Sequence, residues 1–254
     1  MNRILVALIF VIFAIPVFSQ DNSVEFGLFG LINRNLNFNY ERKLTDYASA
    51  NMGFGYLLPG APPHVNTVLD ILTDADTEGY VEDALRNMKF SAVSFTPELR
   101  YYFEKSGCKG LYFGGYAKYA NYCYTSQYTS DVNYSNSSGQ SQTKKDVVFT
   151  LSGKFHTLGA GLSLGYKWII EEKFVVDWCI AAPGLIYGFS KANVVAPEFP
   201  PEESITDFVK NELDVIPDFL GKINVSEVSK IEAQGVWKKI YPTCRFNLSI
   251  GYLF

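Results

Sequence analysis

Histidine is scarce: of 254 residues, only His64 and His156 are His. A serine hydrolase needs a base held beside its nucleophile by a third group, and no Ser in this chain stands in a recognisable elbow near either His. A zinc site needs a fuller donor set at ligand spacing. The four cysteines, Cys108, Cys123, Cys179 and Cys244, have no such spacing. The sequence therefore predicts no catalytic residue, no metal and no cofactor, and the chain reads as a non-enzyme. In an oxidising compartment four cysteines allow three pairings. Cys179 and Cys244 fall on neighbouring strands but on opposite faces, which disfavours that pair. Lys/Arg clusters are also missing and the pI is near 5.3, so nucleic acid is excluded as a partner. After residue 20, no apolar run approaches the roughly 20 residues of a spanning helix.

The one long apolar run is at the N-terminus, "MNRILVALIFVIFAIPVFSQ". Arg3 supplies a positive n-region, the residues from Ile4 to Ile15 an apolar h-region, and Val17-Phe18-Ser19 a cleavage-compatible end. This pattern is a secretory signal peptide over 1–19, with Ser19 or Gln20 the last residue removed, and it leaves one mature domain over 20–254.

Aromatic residues are abundant, at 16% with 20 Phe and 17 Tyr, against only 19% charged residues. They alternate along the chain instead of clustering. Period-two reading predicts eight strands near 24–33, 35–44, 48–58, 90–104, 111–124, 155–169, 174–189 and 240–254. Short connections ("TDYA", "KSGCKG", "IEEK") alternate with long inserts at 59–89, 125–154 and 190–239, while Asn33-Arg34-Asn35 is tight. Alternating short and long connections, with an even strand count, place both termini on the short-turn side. That asymmetry predicts an all-β, eight-stranded antiparallel up-and-down transmembrane barrel with external loops. The strands running toward the short turns end in "NFNYERKL", "TPELRYYFE", "LSLGYKW" and "NLSIGYLF", which places an aromatic girdle at that rim.

The face opposite the apolar one carries Glu25, Glu41, Glu98 and Asp177 against Lys43, Arg100, Lys118, Lys167 and Arg245. Such charges are costly in lipid and should turn inward and pair. Eight strands enclose a lumen just wide enough to be filled by side chains. Balanced charge there predicts a salt-bridged plug.

With "NLNFNYERKL", "TDYASANMGFGY" and the closing "SIGYLF", the chain resembles the small eight-stranded outer-membrane β-barrel families of Gram-negative bacteria, of the opacity-protein and OmpA-barrel type, and is similar to barrels from Bacteroidota. The resemblance implies residence in the bacterial outer membrane with termini in the periplasm. It also implies contact with outer-membrane lipid and with the barrel-insertion machinery. The C-terminal signal read by that machinery falls on Phe246, Leu248, Ile250, Tyr252 and Phe254. The long inserts depart from compact members.

Two inserts are acidic. Residues 59–89 carry a net −4, and 198–232 hold nine acids against three lysines, so these two segments total −10 and leave the remainder at +6. Val65, Val68, Leu69 and Leu72 in the first, and Ile205, Phe208, Val209 and Leu213 in the second, have helical spacing. Both read as helical loops that cover the barrel mouth or form a surface for a partner. The third insert, 125–154, is polar and Ser/Asn/Gln-rich, and reads as a mobile loop. The function expected is a structural or surface-interaction role. A narrow pore or small-solute transporter gated by the acidic loops is the alternative, and a soluble lipocalin-like binder a further one.

Overall fold

The computed structural model describes residues 22–62, 65–66, 79–105, 108–135, 139–201, 203–213, 223–229 and 231–254. The signal segment, His64, Val68, Leu69 and Leu72 lie outside the described residues. Among the described residues the elements run in chain order as β1 (Asn22–Gly27), α1 (Phe29–Ile32), β2 (Asn35–Lys43), β3 (Ala48–Gly60), α2 (Gly79–Arg86), β4 (Lys89–Tyr102), β5 (Gly110–Ser135), β6 (Ser141–Ile170), β7 (Phe174–Val195), α3 (Ile205–Leu213), β8 (Ile223–Ser229) and β9 (Glu232–Leu253).

Eight of these strands form a closed ring in which every neighbouring pair is antiparallel. The order runs β1 through β7, then β9, and β9 pairs back onto β1. At the seam Ser23 faces Leu253 and Gly27 faces Ser249, and the ends meet through hydrogen bonds between the backbones of Asn22 and Phe254 at 3.1 and 2.8 Å. Within the ring closure leaves no sheet edge, so each of the eight strands is paired on both sides there. Both chain ends of the barrel lie at the short-turn rim, where Leu253 N–H also donates to the carbonyl of Lys173 in the β6–β7 turn. That turn adopts left-handed conformations at Glu171 (φ 52°) and Glu172 (φ 56°).

Burial alternates along the strands. On β4, Ala92, Thr96, Glu98, Arg100 and Tyr102 are buried while Val93, Leu99 and Tyr101 are exposed; on β6, Ser163, Gly165 and Lys167 are buried while Leu158, Leu162, Leu164, Trp168 and Ile170 are exposed. The barrel is thus polar and charged inside and apolar outside. Aromatic contacts ring the short-turn rim, including Tyr47 on Tyr101 and Phe174 on Tyr252.

Four departures from the expected elements matter. First, β1 ends at Gly27 and α1 turns over the tight connection, where a continuous strand to residue 33 was expected. Second, most of 125–154 is strand: β5 and β6 continue as a long hairpin paired from Thr125–Ser152 to Ser135–Ser141. Most of its described Ser, Thr and Asn residues, Thr125, Thr129, Asn133, Ser135, Ser141 and Thr143 among them, are exposed on a strand wall, where they look like loop composition. Third, the last insert adds β8, which pairs with the outer part of β9 beyond the ring. Fourth, β7 carries a bulge between Cys179 and Ala182, so odd residues face inward below it and even residues above it.

The extended strands form a second core at the outer end. Phe149, Val132, Val147 and Ala233 receive Ile205 and Val209 of α3, together with Phe199. Phe149 stacks on Tyr128 and Phe208 with ring centroids 5.1 and 5.2 Å apart. Ser204 starts the helix by accepting from the Asp207 backbone N–H at 3.3 Å. Helix α2 also reaches β5, its Ala84 carbonyl accepting from the inward-facing Ser126. Both helices therefore sit over the barrel mouth.

Gly251 shows how tight the seam is. A side chain there would approach Glu25 Cα to 2.8 Å and collide with the Val24 carbonyl oxygen. Gly251→Val should destabilise the closed form by about 1–3 kcal/mol. The measurement is the fraction of heat-modifiable protein after refolding in detergent, which should fall relative to wild type.

Candidate functional site

The lumen at the short-turn half is filled by one connected ion network. Lys167 of β6 is fully buried, and its Nζ donates to Glu25 Oε1 and Glu41 Oε2, each at 2.6 Å, and to Ser23 Oγ at 2.8 Å. Arg100 of β4 donates from Nη1 to Glu41 Oε2 at 3.0 Å and to Asp177 Oδ2 at 2.9 Å, and from Nη2 to Glu98 Oε2 at 3.4 Å. Arg245 of β9 donates to the same Glu98 oxygen at 3.0 Å. Residues from β1, β2, β4, β6, β7 and β9 thereby meet across the barrel axis.

Neutral groups complete it. Glu41 Oε1 accepts from the Tyr102 hydroxyl at 2.6 Å and from Ser49; Glu98 accepts from Ser163 and, at 3.3 Å, from Asn51. The Tyr112 hydroxyl donates to Asp177 Oδ1 at 3.0 Å. The Arg100 guanidinium lies 4.3 Å from the centre of the Tyr112 ring, and that of Arg245 4.1 Å from Tyr116. Such stacking suits a planar guanidinium, which keeps its in-plane donors free for carboxylates.

The structure brings Glu25, Glu41, Glu98, Arg100, Lys167, Asp177 and Arg245 together. Two residues of the expected set stand apart. Lys43 is on the inward register of β2 but at its last position, where the strand leaves the lumen. It pairs there with Asp46 in the β2–β3 turn at 3.3 Å, with both side chains partly or largely exposed. Lys118 faces inward above the network. With Arg245, Asn37, Asn39, Thr96 and Asn247 it lines a polar cavity of about 270 Å³ beneath α1. The tyrosines and serines of the network were missed in the sequence, although each shares the period-two register of the charges: Tyr102 follows Glu98 and Arg100 at spacing two.

Of the C-terminal residues, Phe246, Ile250, Tyr252 and Phe254 are exposed on the outer face of β9, and Leu248 on the same face is half-buried. All four cysteines are free thiols. Cys179 is buried inward and Cys244 exposed outward, on opposite faces of adjacent strands. His156 is on the outer face, bonded through Nδ1 to the Tyr119 hydroxyl at 3.0 Å. Among the described residues no group of three or more His, Cys, Asp or Glu is placed to hold a metal ion.

A fully buried carboxylate shared by two cations is a point of large leverage, because removing it leaves charges unpaired in a dry interior. Glu41→Ala should cost about 3–5 kcal/mol. Lys43→Ala, at a half-exposed turn, should cost under about 1 kcal/mol. Urea unfolding of refolded protein, followed by tryptophan emission, separates the two.

No curated protein matches the chain. Among solved structures it is similar to a major outer membrane protein from Thermus thermophilus, at 12% identity over 92% of this chain and 99% of that one, with a TM-score of 0.41. The barrel is established by its own closed register. Residues 68–194, half of the chain, match the family described as "Protein of unknown function (DUF3575)". The matched stretch contains all of β4, β5 and β6 and β7 up to its penultimate residue. The chain belongs to this family.

Proposed function

We propose that this chain is a non-enzymatic outer-membrane β-barrel of the opacity-protein and OmpA-barrel type, shut to solutes by its lumen network, with a structural or surface-interaction role carried by its external cap. The observation that supports this is the inversion of burial. Lys167, Glu41 and Glu25 are fully buried, while Leu99 is 65% exposed, Ile240 63% and Leu158 61%. A water-soluble fold gains stability by the opposite arrangement. In lipid the exposed aliphatic and aromatic wall is matched to its solvent, and the charges avoid it.

A lipocalin-like binder needs an apolar interior and a wettable exterior, and both faces oppose it. A pore needs a continuous aqueous path, and the bonds of Arg100 and Lys167 cross the lumen. The termini would stand in the periplasm with the short turns, and α2, α3 and the long β5–β6 hairpin outside. The outer face of β9, through Phe246, Leu248, Ile250, Tyr252 and Phe254, would present the strand that the insertion machinery reads. The cap presents α3, with Asp207 and Lys210 exposed and paired at 3.6 Å, as the surface offered to a partner.

The test combines location with conductance. The mature chain should fractionate with outer membranes, migrate differently before and after boiling on a detergent gel, and give no stable single-channel steps in a planar bilayer. Recovery in the soluble periplasm would refute the barrel-in-lipid reading, and ohmic channels of fixed size would replace the closed barrel with the pore.

A further inference from the structure

The apolar outer wall stops abruptly on three adjacent strands, at a similar level on each. On β6 the outward column runs from Ile170 up to Leu158, on β7 to Phe189, and on β9 to Ile240. The outward positions beyond, with His156 intervening on β6, place Lys154, Lys191 and Lys238 there, all exposed. Lys154 lies directly opposite Lys191 in the β6–β7 register. Lys238 lies opposite Phe189 in the β7–β9 register. The ammonium groups of Lys191 and Lys238 sit 5.8 and 5.6 Å from the centre of the same Phe189 ring.

Like charges directly opposite on a sheet repel, and these three lysines make no ion pair among the described residues. The nearest acids farther along the same strands, Asp146 and Glu232, lie toward the tip of the cap. A single lysine at such a boundary would simply extend its ammonium into water. Here two lysines share the Phe189 ring and the third lies opposite Lys191, with no countercharge from the described residues, which concentrates positive charge at one place on the wall. Beside them a hollow of about 510 Å³ opens on the outer wall, lined by Lys154, Lys191, His156, Phe189, Asn193 and Gln234. Asn193 and Gln234 are already joined to each other at 2.9 Å, so the hollow has a fixed polar floor.

We infer that this cluster binds the phosphate-bearing headgroup of a lipid in the outer leaflet, with its acyl chains lying down the apolar wall below. The inference rests on the outer-membrane reading above, because the level of the cluster is that of the outer headgroups only if the barrel spans with its short turns inside. The position selects a lipid over a free anion: the hollow is continuous with the Phe189, Tyr187 and Leu185 column, which a soluble phosphate has no means to use. Lysines near a membrane surface attract anionic headgroups through charge and hydrogen bonding together.

The mature chain is refolded in zwitterionic detergent and checked for heat-modifiable migration. Failure of wild type at that step would overturn the barrel reading itself, before any lipid is added. Bisphosphorylated lipid A or its dephosphorylated form is then added, and retained lipid is counted by native mass spectrometry. Wild type should retain the phosphorylated form about tenfold or more over the dephosphorylated one. The K154Q/K191Q/K238Q variant should lose that preference while remaining heat-modifiable. The single K191Q variant, a smaller perturbation, should lower the retention in part. Equal retention of both lipids by wild type, or an unchanged preference in K191Q, overturns the assignment. Inorganic phosphate at the lipid's concentration should leave the lipid bound, and displacement by it would overturn the lipid headgroup as the ligand.

Discussion

The pairing of β1 with β9 is the constraint from which the other features follow. An open sheet of these strands would leave two rows of backbone donors and acceptors unpaired, open to pairing with another chain. Closing the ring removes both rows. It also gives every strand residue one of two destinations, the lumen or the outer wall, with no third choice. A charge on the wrong parity would then interrupt the apolar outer wall, and a Leu or Trp on the wrong parity would crowd a narrow interior. The short β1 is the weak link by length, and it is reinforced by the backbone bonds that tie Asn22 to Phe254.

Within that ring the ion network replaces the hydrophobic core of a soluble domain. Burying four carboxylates with three paired cations is strongly unfavourable when any partner is missing and tolerated only when each is hydrogen-bonded several times. Glu41 meets this condition with Lys167, Arg100, Tyr102 and Ser49. Because the partners come from six different strands, the network is complete only when the strands are in the correct register. We read it as a device for specificity of register as well as for closure of the lumen. The conventional apolar core is displaced outward, to the cap around Phe149, where Ile205 and Val209 of α3 bury against the extended strand walls.

Much of the architecture was legible because an apolar outer wall and a polar lumen impose a period of two over long stretches. The alternation in "FSAVSFTPELRYYFE" predicts β4 and places Glu98 and Arg100 inward. Legibility failed where that alternation lost its contrast. Beyond the apolar wall both faces of β5 and β6 can be polar, so the segment 125–154 resembles a loop although its backbone is paired. Lys43 has the inward parity of Glu41, but parity does not report depth, and one turn at Asp46 captures it. The bulge at Cys179–Ala182 changes parity without any proline or turn residue at the extra position. The three outer lysines are far apart in sequence, at 154, 191 and 238, and nothing local connects them.

The sequence by itself determined the class, the strand count of the barrel and which charges face inward. Those depend on local alternation and on the lengths of connections, and both are properties of short segments. Tertiary structure decided which charges touch, how far the strands continue beyond the apolar wall, and where α3 and β8 settle. Those outcomes depend on register, on strand tilt and on contacts between residues far apart in the chain, such as Lys167 with Glu25. The physical reason is that a pleated strand tells each residue which side it is on, whereas only the closed ring tells it how deep it lies and what it meets.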